Sequence, residues 1–186
     1  DTTFFLDTEA ELIGTQDHSQ YPLYTPGESL CAARQLGRSL LYAENARNIR
    51  ITGGGTINGN GLYRFKMNDP KNDRENDSRP CAVYTAYCEN VRIDNLSFKN
   101  AAFWTVVPLS SRNVFMEHLD LDCMNTPNRD GIDPVDCVDM TIRKCRIMAG
   151  DDGLCLKSSD ILGCENIFVS DLMIQSLASG IKFGTD

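Results

Sequence analysis

Residues 90–98 read Asn90-Val91-Arg92-Ile93-Asp94-Asn95-Leu96-Ser97-Phe98, and the same pattern returns along the chain. It recurs as Asn113-Val-Phe-Met-Glu-His-Leu-Asp-Leu121, Asp139-Met-Thr-Ile-Arg-Lys-Cys-Arg-Ile147 and Asn166-Ile-Phe-Val-Ser-Asp-Leu-Met-Ile174. Asn48-Ile-Arg-Ile-Thr-Gly53 repeats its first half. The template is Asn or Asp, then apolar, any, apolar, two mostly polar residues, apolar or Cys, any, apolar. The last three steps between starts are 23, 26 and 27 residues. A repeat of that length is the signature of a stacked solenoid.

Within each repeat the apolar residues alternate with period two, which argues for strands. Val91 and Ile93 form one short strand, and Leu96 and Phe98 a second after a shift of register. A third follows in each coil, through Val106, Ile132, Leu154 with Leu156, and Ile181 with Phe183. Three short strands per coil predict an all-β, right-handed parallel β-helix, with an amide ladder where the Asn column turns the chain. The longer step from Asn48 to Asn90, 42 residues, contains a surface-loop insertion at residues 66–80, rich in charge, Asn and Asp. Glu28 to Tyr42 is the best helix candidate in a chain with no convincing amphipathic helix. Residues 1–186 read as a single domain, incomplete at both ends, because apolar repeats run close to both termini and leave open sheet edges.

The 186 residues carry a net charge of −8. That disfavours nucleic acid and anionic membranes as partners, and no apolar run is long enough to cross a bilayer. The chain has eight cysteines but no Cys-x-x-Cys pair, so a zinc ribbon is disfavoured and mostly free, buried thiols are expected. No signal peptide is visible. The compartment stays open: secreted or periplasmic for a polymeric substrate, cytoplasmic if the thiols are unpaired.

Aligning the third strands places Asp130-Gly131-Ile132 over Asp152-Gly153-Leu154 and Ser179-Gly180-Ile181. Coils stack about 4.8 Å apart, so Asp130, Asp151 and Asp152 converge on one patch of wall. Crowding drives the acidities of neighbouring carboxyls apart, and glycoside hydrolysis needs one protonated acid and one carboxylate. A solvated acidic turn or a calcium site is the plainer alternative for an Asp pair alone.

These motifs resemble glycoside hydrolase family 28, the polygalacturonases. Asn128-Arg129-Asp130-Gly131 corresponds to the family's Asn-Thr-Asp-Gly, with Arg129 replacing Thr. Gly150-Asp151-Asp152-Gly153-Leu154-Cys155-Leu156-Lys157-Ser158 corresponds to its Asp-Asp motif, 21 residues on from Asp130 to Asp151. Ile51-Thr-Gly-Gly-Gly-Thr-Ile-Asn-Gly-Asn-Gly61 resembles the segment upstream of the catalytic coils. The resemblance implies inverting hydrolysis of a pectic, galacturonic-acid-containing polysaccharide or oligosaccharide, with no metal or organic cofactor; a monomer is expected. Asp151 takes the place of the general acid; Asp130 and Asp152 take the places of the pair that holds and deprotonates water. Two departures stand out. Ser179 occupies the site of the Gly-His-Gly histidine, and the Arg-Ile-Lys motif would fall beyond Asp186.

Arg129, Lys157, Ser179 and Lys182 are the candidate substrate contacts. Lys182 has a second reading, as the partner of Asp133. Trp104 lies near the same column as a sugar platform or a structural side chain, and His118 reads as structural. The rival functions are a calcium-dependent pectate-lyase-like enzyme and a non-catalytic β-helix carbohydrate-binding module.

Overall fold

The computed structural model describes residues 1–24, 37–61, 79–124, 128–158 and 163–184. In chain order its strands are β1 (Thr2–Phe5), β2 (Glu11–Ile13), β3 (Ser39–Glu44), β4 (Arg47–Thr52), β5 (Thr56–Asn58), β6 (Cys81–Ala86), β7 (Glu89–Lys99) and β8 (Val106–Leu109). There follow β9 (Arg112–Cys123), β10 (Val138–Arg143), β11 (Arg146–Ala149), β12 (Leu154–Leu156), β13 (Glu165–Ser170), β14 (Met173–Ser176) and β15 (Ile181–Phe183). Among the described residues every strand pairing is parallel and joins one coil to the next. The chain is a right-handed parallel β-helix, the hand that parallel crossovers take.

Three walls enclose it. The first runs β1-β4-β7-β9-β10-β13. The second is built by β2, β5, the distal halves of β7 and β9, β11 and β14. The third stacks β3-β6-β8, continues through bridges at Ile132 and Val135, and ends in β12-β15. The repeat explains the first two walls. Val91, Ile93, Leu96 and Phe98 point inward onto Val114, Met116, Leu119 and Leu121, all at most 2% exposed. Met140, Ile142 and Ile147 extend the same core.

The corners are set by left-handed residues. Asn48, Asn90, Asn113, Asp139 and Asn166 all have φ between 52° and 58°, a conformation Asn and Asp adopt more readily than other side-chain-bearing residues. Their side chains form the expected ladder: Asn113 donates to Asn90 at 2.6 Å, Asn90 to Asn48 at 2.8 Å, and Asn166 to Asp139 at 2.9 Å. The ladder extends one rung further than the repeat foretold. Asn48 donates to Asp1 at 2.5 Å, and β1 pairs with β4 from Thr2↔Ile49 to Phe5↔Thr52, so the N-terminal residues form a coil of their own. Five residues after the ladder, Gly53, Asn95, His118, Lys144 and Asp171 are again left-handed and bend the chain from the first wall into the second.

The third wall departs from the alternating pattern. All six residues of β6 and all four of β8 are buried. One face joins the central core; the other forms a separate cluster of Tyr84, Phe103, Trp104, Val107, Leu109 and Val135. Facing away from the core on this wall therefore does not mean facing water.

Other expectations divide. Residues 66–78 of the expected insertion and residues 28–36 of the helix candidate lie outside the described residues. The remainder of that candidate is not helical, because Ser39–Glu44 is β3. Cys31 lies outside the described residues; Cys88, Cys123, Cys137, Cys145 and Cys155 are buried free thiols, and Cys164 is a half-buried one.

Candidate active site

On the third wall, main-chain hydrogen bonds fix the acid column. Thr105 N–H donates to Asp130 O at 2.9 Å, Gly131 N–H to Asp152 O at 2.9 Å, and Gly153 N–H to Ser179 O at 2.8 Å. Ile132 bridges Leu154, which pairs with Ile181. Asp130, Asp152 and Ser179 thus occupy successive rungs, as the repeat predicts. The glycines following the two acids are spatial necessities. A Cβ on Gly131 would lie 2.4 Å from Gly153 O and 2.5 Å from Ile147, and one on Gly153 would lie 2.4 Å from Ile174 and 2.7 Å from Gly180 O.

Asp151 is the one of the three acids whose side chain is not buried. Its Oδ2 accepts from the backbone N–H of Asn128 at 3.3 Å and from Asn128 Nδ2 at 3.4 Å. Its own N–H donates to Arg129 O at 3.3 Å, and its carbonyl accepts from Ser176 Oγ at 2.5 Å. Asn128, itself left-handed with φ 55°, therefore ties the coil carrying Asp130 to the coil carrying Asp151.

Asp152 and Asp130 are both 3% exposed, yet their acidities move oppositely. Burial pushes Asp152 up, but Lys182 Nζ at 2.8 Å and Ser179 N–H at 3.2 Å outweigh it and hold the carboxyl below its ordinary range. Burial also raises Asp130, to about 6, with Asp151 and Asp152 adding to the rise; Lys157 and the neighbouring Asp133 carboxyl only partly oppose it. Asp133, fully enclosed, is pushed well above the ordinary carboxyl value, first by burial and then by Asp130. Lys157 Nζ sits 3.5 Å from Asp130 Oδ2, 3.4 Å from Asp133 Oδ1 and 4.1 Å from the centre of the Trp104 ring. Burial disfavours its charge, and the two acids reverse that and raise its value.

The expected substrate contacts divide. Ser179 and Lys182 are part-exposed beside Asp152. Lys182 pairs with Asp152 and not with Asp133, because Cys155 is the residue opposite it in the neighbouring coil. Arg129 and Lys157, expected at the sugar, are instead 0% and 3% exposed. Arg129 Nη2 donates to Gly61 O at 2.7 Å, and burial lowers its value to about 10, with Arg79 adding and the Cys123 thiol opposing. Trp104 is 6% exposed and stacked on Phe103, a structural ring. His118 lies on another wall, half-exposed beside Glu117. Sequence reasoning left Asn128 without a role at the site and named Asp133 only as a possible partner of Lys182. Among the described residues no group of three or more His, Cys, Asp or Glu is arranged for a metal ion.

The model of the family "Glycosyl hydrolases family 28" matches residues 30–178. A probable polygalacturonase of Vitis vinifera is 34% identical over 163 residues, covering 84% of this chain and 33% of that protein. Polygalacturonase-2 of Solanum lycopersicum is 29% identical over 135 residues, covering 69% of this chain and 28% of that protein. The chain thus spans about a third of the length of these curated relatives. Among solved structures, an exopolygalacturonase from Thermotoga maritima superposes with a TM-score of 0.81 at 24% identity, covering 99% of this chain and 50% of that one. The polygalacturonase of Erwinia carotovora gives 0.76 at 19%, covering 98% and 54%.

Proposed function

This chain belongs to glycosyl hydrolases family 28, and from that membership we propose that it carries the catalytic acids of an inverting hydrolase of galacturonic-acid-containing pectic chains. Support comes from the family match, from the relatives named polygalacturonase, and from the division of labour among the three acids. The observation that carries the reading is the split between Asp152, held ionised by Lys182, and Asp130, raised to about 6 on the adjoining rung.

Inverting hydrolysis needs an acid at the leaving oxygen and a carboxylate that takes a proton from water on the opposite side. Asp151, whose side chain is accessible and oriented by Asn128, is the proposed general acid. Asp152 is the proposed base, and Asp130 beside it holds the same water. Because Asp152 stays ionised through the range in which the reaction would run, the water has a ready proton acceptor. Ser179 and Lys182, at the rim, are the proposed sugar contacts.

Asp151→Asn preserves shape and removes the proton. It is expected to lower turnover of polygalacturonate by about 10²–10⁴-fold, with the wild type releasing products of inverted anomeric configuration by proton NMR. Wild-type turnover in the variant would remove Asp151 from the mechanism. An unsaturated, ultraviolet-absorbing product abolished by a chelator would assign a lyase instead.

A further inference from the structure

Asp133 has no part in the scheme above, yet it is the most deeply enclosed acid near the column, at 0% exposure. Around it lie Asp130, Lys157 and Cys155; beyond Asp130 lie Asp151 and Asp152, the latter paired with Lys182. Among the described residues the enclosure thus holds two carboxyls, Asp130 and Asp133, against one ammonium, Lys157. Among the described residues, neither Asp133 oxygen, nor Asp130 Oδ1, receives a hydrogen bond. Two ionised carboxylates would leave an uncompensated negative charge out of water, and three lone-pair-bearing oxygens with nothing to accept from. Burial penalises both strongly.

One proton resolves both problems. The Asp133 and Asp130 carboxyls flank one ammonium, Lys157 Nζ lying 3.4 Å from Asp133 Oδ1 and 3.5 Å from Asp130 Oδ2, and each acts on the acidity of the other. A proton on Asp133 turns one orphaned acceptor into a donor aimed at Asp130, and leaves Lys157 with a single counter-charge. Asp133 is the better holder of that proton, because Asp130 already accepts from Lys157 and lies nearer the open column.

We infer that Asp133 is a neutral acid at physiological pH which donates a hydrogen bond to Asp130 and, with Lys157, sets the pH at which Asp130 ionises. Asp133 is a positioning residue: it acts through Asp130 and does not touch the sugar. The catalytic consequence rests on the hydrolase reading; the proton itself does not.

Two measurements separate the two. In protein carrying ¹³Cγ-labelled aspartate, one carboxyl is expected to keep the chemical shift of a protonated acid through pH 7, and Asp133→Asn is expected to remove that resonance. A spectrum with every aspartate ionised at pH 7 overturns the inference, whether or not the protein turns over pectin. The second measurement is the pH profile of kcat/KM on polygalacturonate. Asn at position 133 is also neutral and also a donor, so Asp133→Asn should leave the acid limb within about half a pH unit of wild type. Asp133→Leu, which cannot donate, should move that limb up by about one unit. Were Asp133 ionised, Asp133→Asn would leave Lys157 to Asp130 alone and move the limb down by about one unit or more, which overturns the inference. If Asp133→Leu fails to fold, the wild-type spectrum and Asp133→Asn still decide. A wild type without turnover refutes the hydrolase reading and leaves the spectrum to decide the proton.

Discussion

Asp94 and Glu117 on the first wall and Asp130 and Asp133 on the third are four acids with side chains at most 9% exposed. They differ in their company. Asp94 accepts from Arg50 at 3.1 and 3.2 Å and from Arg92 at 2.9 Å. Glu117 has Arg143 at 2.9 Å, Lys144 at 3.3 Å and Arg92 at 3.7 Å. These cations are themselves 41–49% exposed, and Arg92 and Arg143 also lie over the Phe115 ring. Burial raises both acids, but the cations prevail and both end below their ordinary values. Asp130 and Asp133 share one lysine, and both end above theirs. Low exposure alone therefore does not set the direction: the first-wall acids, 9% exposed with two or three cations each, end low, and the third-wall acids, 4% and 0% exposed with one lysine between them, end high. The first arrangement ties coils together; the second stores a proton beside the proposed reaction centre.

Removing the cation that the third-wall acids share gives the largest expected effect. Lys157→Met leaves two enclosed carboxyls without a counter-charge and is expected to cost about 3–5 kcal/mol at neutral pH. Both acids have folded-state values above their unfolded ones, so stability is retained below the unfolded value, about 4, and is lost as pH rises through the folded values. Urea unfolding should therefore find the variant close to wild type near pH 4 and far weaker at pH 7; equal weakening at both would break the contrast.

Lys182→Met comes next. Asp152 owes its depressed value to that lysine, so without it burial prevails and the carboxyl protonates at higher pH. The titration of the Asp152 ¹³Cγ resonance should rise by about one pH unit, against no shift if Lys182 serves only the sugar. The smallest effect belongs to the first wall. Asp94→Asn leaves its arginines facing water, and the expected loss is about 1 kcal/mol, shrinking with added salt. Its sign is opposite to that of Lys157→Met. Asp94 is depressed, so its contribution is present above the ordinary carboxyl range and fades as pH falls, and the variant should match wild type in acid.

The walls differ again in how far the sequence disclosed them. On the first two, alternation separates core from surface, and the residues from Val91 to Phe98 lie where their spacing puts them. The column of Asp130, Asp152 and Ser179 was also legible, because it needs only the period of the repeat. What the period cannot report is depth. The third wall is buried on both faces, so Lys157 and Asp133, which alternation directs away from the core, meet Trp104 and each other where solvent was expected. Arg129 was misjudged for the same reason. The N-terminal coil escaped notice because Thr2-Thr-Phe-Phe5 carries only one half-buried position and no second half to complete the template.

The Asn48–Asn90 bond spans 42 residues of chain, yet its length matches that of its neighbours. Extra chain leaving at a corner is thus invisible to the rungs on either side. Segments grafted at such corners would let an engineer alter the rim around the acids, and with it the glycan choice of the proposed hydrolase, while the spacing between the carboxyls stays where the backbone pitch has put it.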